Sequence, residues 1–176
     1  IAMEFLNSAP SHRPFCLFIP YGPPHNPYDL MPEEYKKYRP EDIQPRPNCP
    51  KPSLKDLAGY QSHITALDRN VGRLLDAIDR RGLAEDTLVV FTSDHGDMLG
   101  SHGQQRKQRP WDESVCVPFL IRQPGRLPAG IQSEAIINTP DIMPTLLALC
   151  GADIPPNVQG EDLSRVWTGH SQNAPT

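Results

Sequence analysis

The sequence predicts an α/β domain in which short apolar strands are covered by helices. Three observations carry this. Wholly apolar runs occur at "PFCLFI" (14–19), within Thr87–Thr92 and at "VPFLI" (117–121), too short for helices and too apolar for half-exposed strands. Between the first two, Leu57, Ile64, Leu67, Val71, Leu74 and Ile78 recur every three or four residues, the period of an amphipathic helix. The order strand, long loop, helix, strand, loop, strand, helix is that of a sheet flanked by helices.

The elements follow in turn. Ala2–Leu6 reads as the last turns of a helix, and 7–14 as a turn-rich link. After the 14–19 strand, "PYGPPHNPY" (20–28) excludes regular structure, because proline restricts itself and the residue before it. A proline-rich surface excursion extends over about 20–52, and 12 of the 21 prolines fall in the first 52 residues. Ser53-Leu54-Lys55-Asp56 has the form of a capping box and opens the long helix, which Gly82 closes. The loop 122–130 is punctuated by Pro and Gly, and Ala135–Ile137 is read as a further short strand. Thr139-Pro140-Asp141 starts a helix with proline near its first position, and Gly151 ends it. A turn at Leu163–Trp167 precedes a polar tail, 170–176.

The chain has 176 residues, 38% of them hydrophobic, and formal net charge −4. This balance gives no basis for nucleic acid or an anionic membrane surface as a partner, and no apolar run approaches a membrane span. Of the four cysteines, Cys16, Cys116 and Cys150 stand in apolar company and none forms a CxxC pair, so they are expected reduced and buried. Compartment stays open between cytoplasm and periplasm or secretion, and so does oligomeric state.

The chemistry concentrates in "LVVFTSDHGDMLGSHG" (88–103). An apolar strand ends on Asp94-His95, a carboxylate and an imidazole that are both competent ligands for a divalent cation. Gly96 is expected to let the backbone turn sharply. Asp97 is either a further ligand-side residue or the cap of the following turn. His102 either orients a ligand from behind or is a hydrogen-bonded structural histidine, the reading favoured here. Lys107 lies in the basic cluster Arg106, Lys107, Arg109, a solvated face unless a metal-held anion meets it. His25, stiffened by Pro24 and Pro27, follows the first strand as Asp94 follows the second, so both fall at one edge of the sheet. There is no Gly-x-Ser-x-Gly elbow, phosphate loop, zinc-finger spacing or EF-hand.

Four segments resemble the sulfatase family of the alkaline-phosphatase-like superfamily: "PFCLFIPYGPPHNPY", "YQSHITALDRNVGRLLDAIDRRGLAEDTLVVFTSDHGDMLGSHG", "KQRPWDESVCVPFLI" and "TPDIMPTLLALCGADIPPNVQGEDL". The resemblance implies a three-layer α/β/α sandwich with a mostly parallel sheet, of which residues 1–169 form the later part of the catalytic domain. It implies hydrolysis of a small-molecule or carbohydrate sulfate ester. Asp94 and His95 match the family's metal-binding pair, the metal being Ca2+ with Mn2+ or Mg2+ as alternatives. His25 and Lys107 match its sulfate contacts, Lys107 through its distance from the Trp111-Asp112 pair. His102 matches a recurring histidine beside the site.

The family's formylglycine nucleophile arises in a Cys/Ser-x-Pro-x-Arg motif, and this sequence contains none, so formylglycine is expected in the parent protein but not in this chain; Cys49-Pro50-Lys51-Pro52 has proline in the wrong place and no arginine. The family's early Asp-Asp metal pair and its C-terminal subdomain are likewise expected to lie outside this chain, which alone is expected to be inactive. Two other functions stay in competition: hydrolysis of a phosphonate monoester or phosphodiester, and a sulfatase-like module that binds without catalysis.

Overall fold

The structure is a computed structural model and describes residues 1–10 and 13–169; the polar tail lies outside the described residues. Helix α1 spans Ala2–Ser8, α2 Leu54–Arg80, α3 Asp112–Val115, α4 Thr139–Leu149 and α5 Ser164–Trp167, with strands β1 at Val89–Thr92 and β2 at Phe119–Arg122. The chain divides into two compact units, residues 1–81 with 92–119, and residues 82–91 with 120–176.

The first unit is organised by α2. Its start is capped as expected, with Ser53 Oγ accepting from the Asp56 N–H at 3.4 Å, and Gly82 follows its end in the left-handed conformation, φ 64°. Its buried positions are Ala58, Ser62, His63, Ala77 and Ile78, while Ile64 from the predicted apolar face is exposed. Arg81 donates its guanidinium to the carbonyls of Leu6 and Ala9, satisfying acceptors that the end of α1 leaves open. The proline-rich excursion is laid along α2. Lys37 N–H donates to Ser62 Oγ at 3.2 Å, Tyr38 and Thr65 hydroxyls meet at 3.2 Å, and the Arg69 guanidinium sits over the Tyr35 ring. Two short 3-10 turns, Glu33–Tyr35 and Pro40–Asp42, are the regular structure within it.

The segment 14–19 belongs to no strand, and its exposure alternates: Phe15, Leu17 and Ile19 are half-buried, Cys16 and Phe18 exposed. A fully apolar run therefore does not make a fully buried strand here, because a strand needs neighbours on both edges and both faces. Ala135–Ile137 likewise forms no strand. Cys16, Cys116 and Cys150 are free as expected but exposed rather than buried, with Cys49 half-buried.

β1 and β2 pair antiparallel in a two-stranded sheet. The loop between them leaves and returns at the same end, since the Gly96 N–H already meets the Ser114 carbonyl at 2.8 Å before β2 begins. Parallel pairing of the kind expected for the sheet as a whole has no instance among the described residues. In the second unit, Asn138 and Asp141 form a capping box at the start of α4. Asp141 also accepts from the Glu161 N–H at 2.9 Å, and Thr145, fully buried, accepts from the Leu163 N–H at 3.0 Å. These bonds dock α5 on α4 around Leu149 and Leu163.

Candidate active site

All six residues singled out by the sequence lie in the first unit. Four of them come together and two serve the frame.

His25 and Lys107, far apart in sequence, meet with Nζ 2.7 Å from Nε2. His25 Nδ1 is 2.7 Å from the Asn26 carbonyl, so that nitrogen carries the proton and Nε2 presents a lone pair to the ammonium. The His25 and His95 rings stand edge to face with centroids 6.5 Å apart. His95 repeats the arrangement, its Nδ1 lying 2.7 Å from the Gly96 carbonyl. Its Nε2 lone pair is then free and faces Asp94 Oδ2 at 3.6 Å. The Asp94 side chain is 86% exposed, and its Oδ1 accepts from the His95 N–H at 3.1 Å. An oxygen and a nitrogen donor at this separation suit one ion bound at about 2.0–2.5 Å from each. Among the described residues no group of three or more His, Cys, Asp or Glu side chains could hold a metal.

Gly96 is not in the left-handed region, which corrects the expectation of a glycine needed for its φ. It is needed for space. A Cβ there would collide with the Glu113 carbonyl, and the approach it permits is the bond from its N–H to Ser114.

The Lys107 loop is held by strain and by backbone. Arg106 and Gln108, on either side of the lysine, both have φ 65°, a conformation costing roughly 1–2 kcal/mol for a residue with a Cβ. Compensating contacts are the Met98 N–H on the Arg106 carbonyl at 2.7 Å, the Arg109 N–H on Ser114 Oγ at 3.3 Å, and Arg109 Nε on Gln104 Oε1 at 3.1 Å. Strain of this kind collects where a side chain must be aimed. Arg106 and Arg109 themselves are exposed.

Asp97 uses both carboxylate oxygens within the protein. Oδ1 caps the turn from the Leu99 N–H at 3.1 Å, and Oδ2 accepts from the Tyr28 hydroxyl at 2.6 Å. His102, left-handed at φ 54°, stacks on Trp111 with centroids 4.9 Å apart, and its Nε2 is 3.1 Å from Asn48 Nδ2. Asn48 also donates to Glu113 at 2.7 Å, and this bond is the first cause holding the Glu113 carboxyl below its ordinary range. Tyr28 and Asn48 are the participants that the sequence did not single out. Both stand in the proline-rich excursion, where nothing in the pattern separates them from filler. Burial, followed by the Asp97 hydrogen bond and charge, raises the Tyr28 phenol above its usual value. Cys49 Sγ rests 3.7 Å from the Leu99 carbonyl and is closely packed on Gly100, a structural position.

The family model described as "Sulfatase" matches residues 2–152. An ulvan-active sulfatase of Formosa agariphila is 44% identical over 90% of this chain and 32% of its own length. A Bacteroides thetaiotaomicron protein, from a core genetic locus for metabolism of multiple glycosaminoglycans, has a solved structure that superposes with TM-score 0.86. It is 31% identical, over 95% of this chain and 37% of that one. A phosphonate monoester hydrolase of Silicibacter pomeroyi superposes with TM-score 0.63 at 35% identity, over 67% of this chain and 23% of its own. The fold is the alkaline-phosphatase-like α/β fold, and the chain spans about a third of the length of the curated relative. The chain belongs to the sulfatase family.

Proposed function

We propose that the protein is a sulfuric ester hydrolase and that residues 1–169 are the later part of its catalytic domain. On this reading Asp94 and His95 contribute to a divalent-metal site, calcium first, while His25 and Lys107 contact the sulfuryl group. The observation that carries it is the His25–Lys107 contact at 2.7 Å, formed beside a carboxylate and an imidazole whose lone pairs face each other at 3.6 Å. A sulfate ester needs positive charge and hydrogen-bond donors on its oxygens, and the side chains here are of that kind.

The metal, when bound, would polarise a sulfuryl oxygen and offset developing negative charge. Asp94 neutralises part of the ion's charge, and the hydrogen bond from His95 Nδ1 to Gly96 keeps its Nε2 turned to the ligand position. Lys107 holds His25 with one of its three N–H donors and keeps the others for substrate oxygens. When Nε2 takes a proton the bond from Lys107 is given up, and His25 becomes a second donor that can pass that proton toward the leaving oxygen. The formylglycine nucleophile of the family would come from outside residues 1–176, since its motif does not occur in this sequence. The substrate is proposed to be a carbohydrate sulfate, as the glycosaminoglycan context of a structural relative suggests.

A phosphonate monoester is also a tetrahedral oxyanion, and the Silicibacter enzyme shares this part of the fold. The deciding experiment compares kcat/KM of the full-length protein on an aryl sulfate, on sulfated saccharides and on an aryl phosphonate monoester. A sulfate preference of tenfold or more supports the proposal. Preference for the phosphonate overturns it in favour of the phosphorus chemistry, and no turnover of either favours the binding module. The 176-residue chain by itself is expected to turn over none of them.

A further inference from the structure

His25 and Asp94 are each followed, three positions later, by one partner of a single hydrogen bond. His25-Asn26-Pro27 leads to Tyr28, and Asp94-His95-Gly96 leads to Asp97. Tyr28 Oη donates to Asp97 Oδ2 at 2.6 Å. We propose that Tyr28 and Asp97 are a positioning pair, fixing the distance between the His25 loop and the Asp94-His95 turn so that sulfate contacts and metal ligands meet one substrate. The inference rests on the reading of those residues as a single site.

Both partners are themselves immobilised. Tyr28 is 8% exposed, with its ring edge to face against Tyr60 at 6.0 Å. Its backbone is pressed on α2 at Gly59, where a Cβ would collide with the Tyr28 carbonyl. Next to it, Asp29 pairs with Lys55 of the same helix at 3.3 Å. Asp97 is fixed from the other side by the Leu99 N–H, and Met98 and Leu99 behind it are buried. The links from anchor to functional side chain are short, and the first contains Pro27 with its restricted φ. An anchor displaced by 1 Å therefore displaces His25 or Asp94 by a similar amount.

The test uses the full-length protein. Tyr28→Phe keeps the ring and its packing and removes the bond; the expected result is a fall of about 10²-fold in kcat, the scale of a misplaced catalytic group, with KM moved less than threefold. Asp97→Asn should retain most of kcat, because the amide oxygen still accepts from Leu99 and the amide nitrogen can donate to the Tyr28 oxygen, while Asp97→Ala should match Tyr28→Phe. The double variant Tyr28→Phe/Asp97→Ala should be no worse than either single one, and Tyr60→Phe should be neutral. A crystal structure of Tyr28→Phe should show the His25–Lys107 contact opened. If Tyr28→Phe lowers thermal stability but keeps kcat and that contact, the pair is a packing feature and the proposal is overturned. If His25→Ala and Lys107→Ala also leave turnover intact, the reading of the site has failed and the pair falls with it.

Discussion

His95-Gly96 and His102-Gly103 are the same dipeptide on one loop, and their surroundings give them opposite uses. His95 fixes its proton on a carbonyl next door and leaves Nε2 to a carboxylate that is almost entirely solvent-facing. His102 has the same nitrogen taken by Asn48, one ring face covered by Trp111, and Glu113 at 4.0 Å. Gly96 is required for a close approach, Gly103 for a left-handed turn at φ 69°. A histidine with an uncommitted lone pair facing a solvent-exposed carboxylate oxygen has the capacity the proposed metal site would use. One whose ring is stacked and bonded is part of the frame. Residue type is the same in both, and what differs is which hydrogen-bonding capacity remains unspent.

The contrast can be broken or sharpened by substitution in the full-length protein. Asp94→Ala should have the largest effect, with turnover falling below detection and calcium binding lost by calorimetry; retention of either would place the metal elsewhere. Lys107→Ala should leave calcium binding intact and lower kcat/KM by two to three decades, about 3–4 kcal/mol of transition-state stabilisation. Lys107→Arg should recover part of this, since a planar fork replaces a point charge. If Arg106→Ala or Arg109→Ala proves the damaging change instead, the assignment of the oxyanion contact is wrong. Gly96→Ala should destabilise by about 1–3 kcal/mol in urea titration, the cost of forcing a methyl group against the Glu113 carbonyl. His102→Ala, by contrast, should cost about 1 kcal/mol through the lost stack and bond to Asn48, with kcat/KM within threefold of the parent value. A rate loss in His102→Ala beyond its stability loss would move this histidine into the site.

The smallest effect is acid-dependent. The Glu113 carboxyl is held below its ordinary range, first by the Asn48 hydrogen bond, so the stabilisation it gives is present above the ordinary glutamate value. It is lost as pH falls from near 4.3 toward the depressed value. Amide exchange at His102, whose N–H is bonded to the Asn48 carbonyl at 2.8 Å, should accelerate over that window while exchange at Gly96 changes less.

Some of this was legible in the chain and some was not. Helix α2 and the turn after β1 could be read because periodicity, a capping serine and an Asp-His pair are local properties. The 14–19 segment was misread as a fully buried strand because apolar composition reports what a segment would bury and says nothing of whether a neighbour is there. The cysteines misled for the same reason. Ile64 and Leu67 marked a helix face correctly in period, but the excursion laid along α2 chooses which of those positions is covered. Tyr28 and Asn48 were invisible because their importance lies in partners 69 and 54 residues away, and a single sequence carries no sign of such pairings when the residue sits in a proline-rich loop.

The alternation of exposure along 14–19, with Phe18 at 87%, has a practical side for anyone producing this chain by itself. An apolar, uncharged stretch with an aromatic side chain on an open face is a template for adding strands from other molecules. Concentrated preparations should therefore precipitate or form thioflavin-positive material more readily than their net charge of −4 suggests. Phe18→Lys, which places a charge on the exposed side and leaves Phe15, Leu17 and Ile19 untouched, should raise the soluble limit without altering the helical circular-dichroism signal.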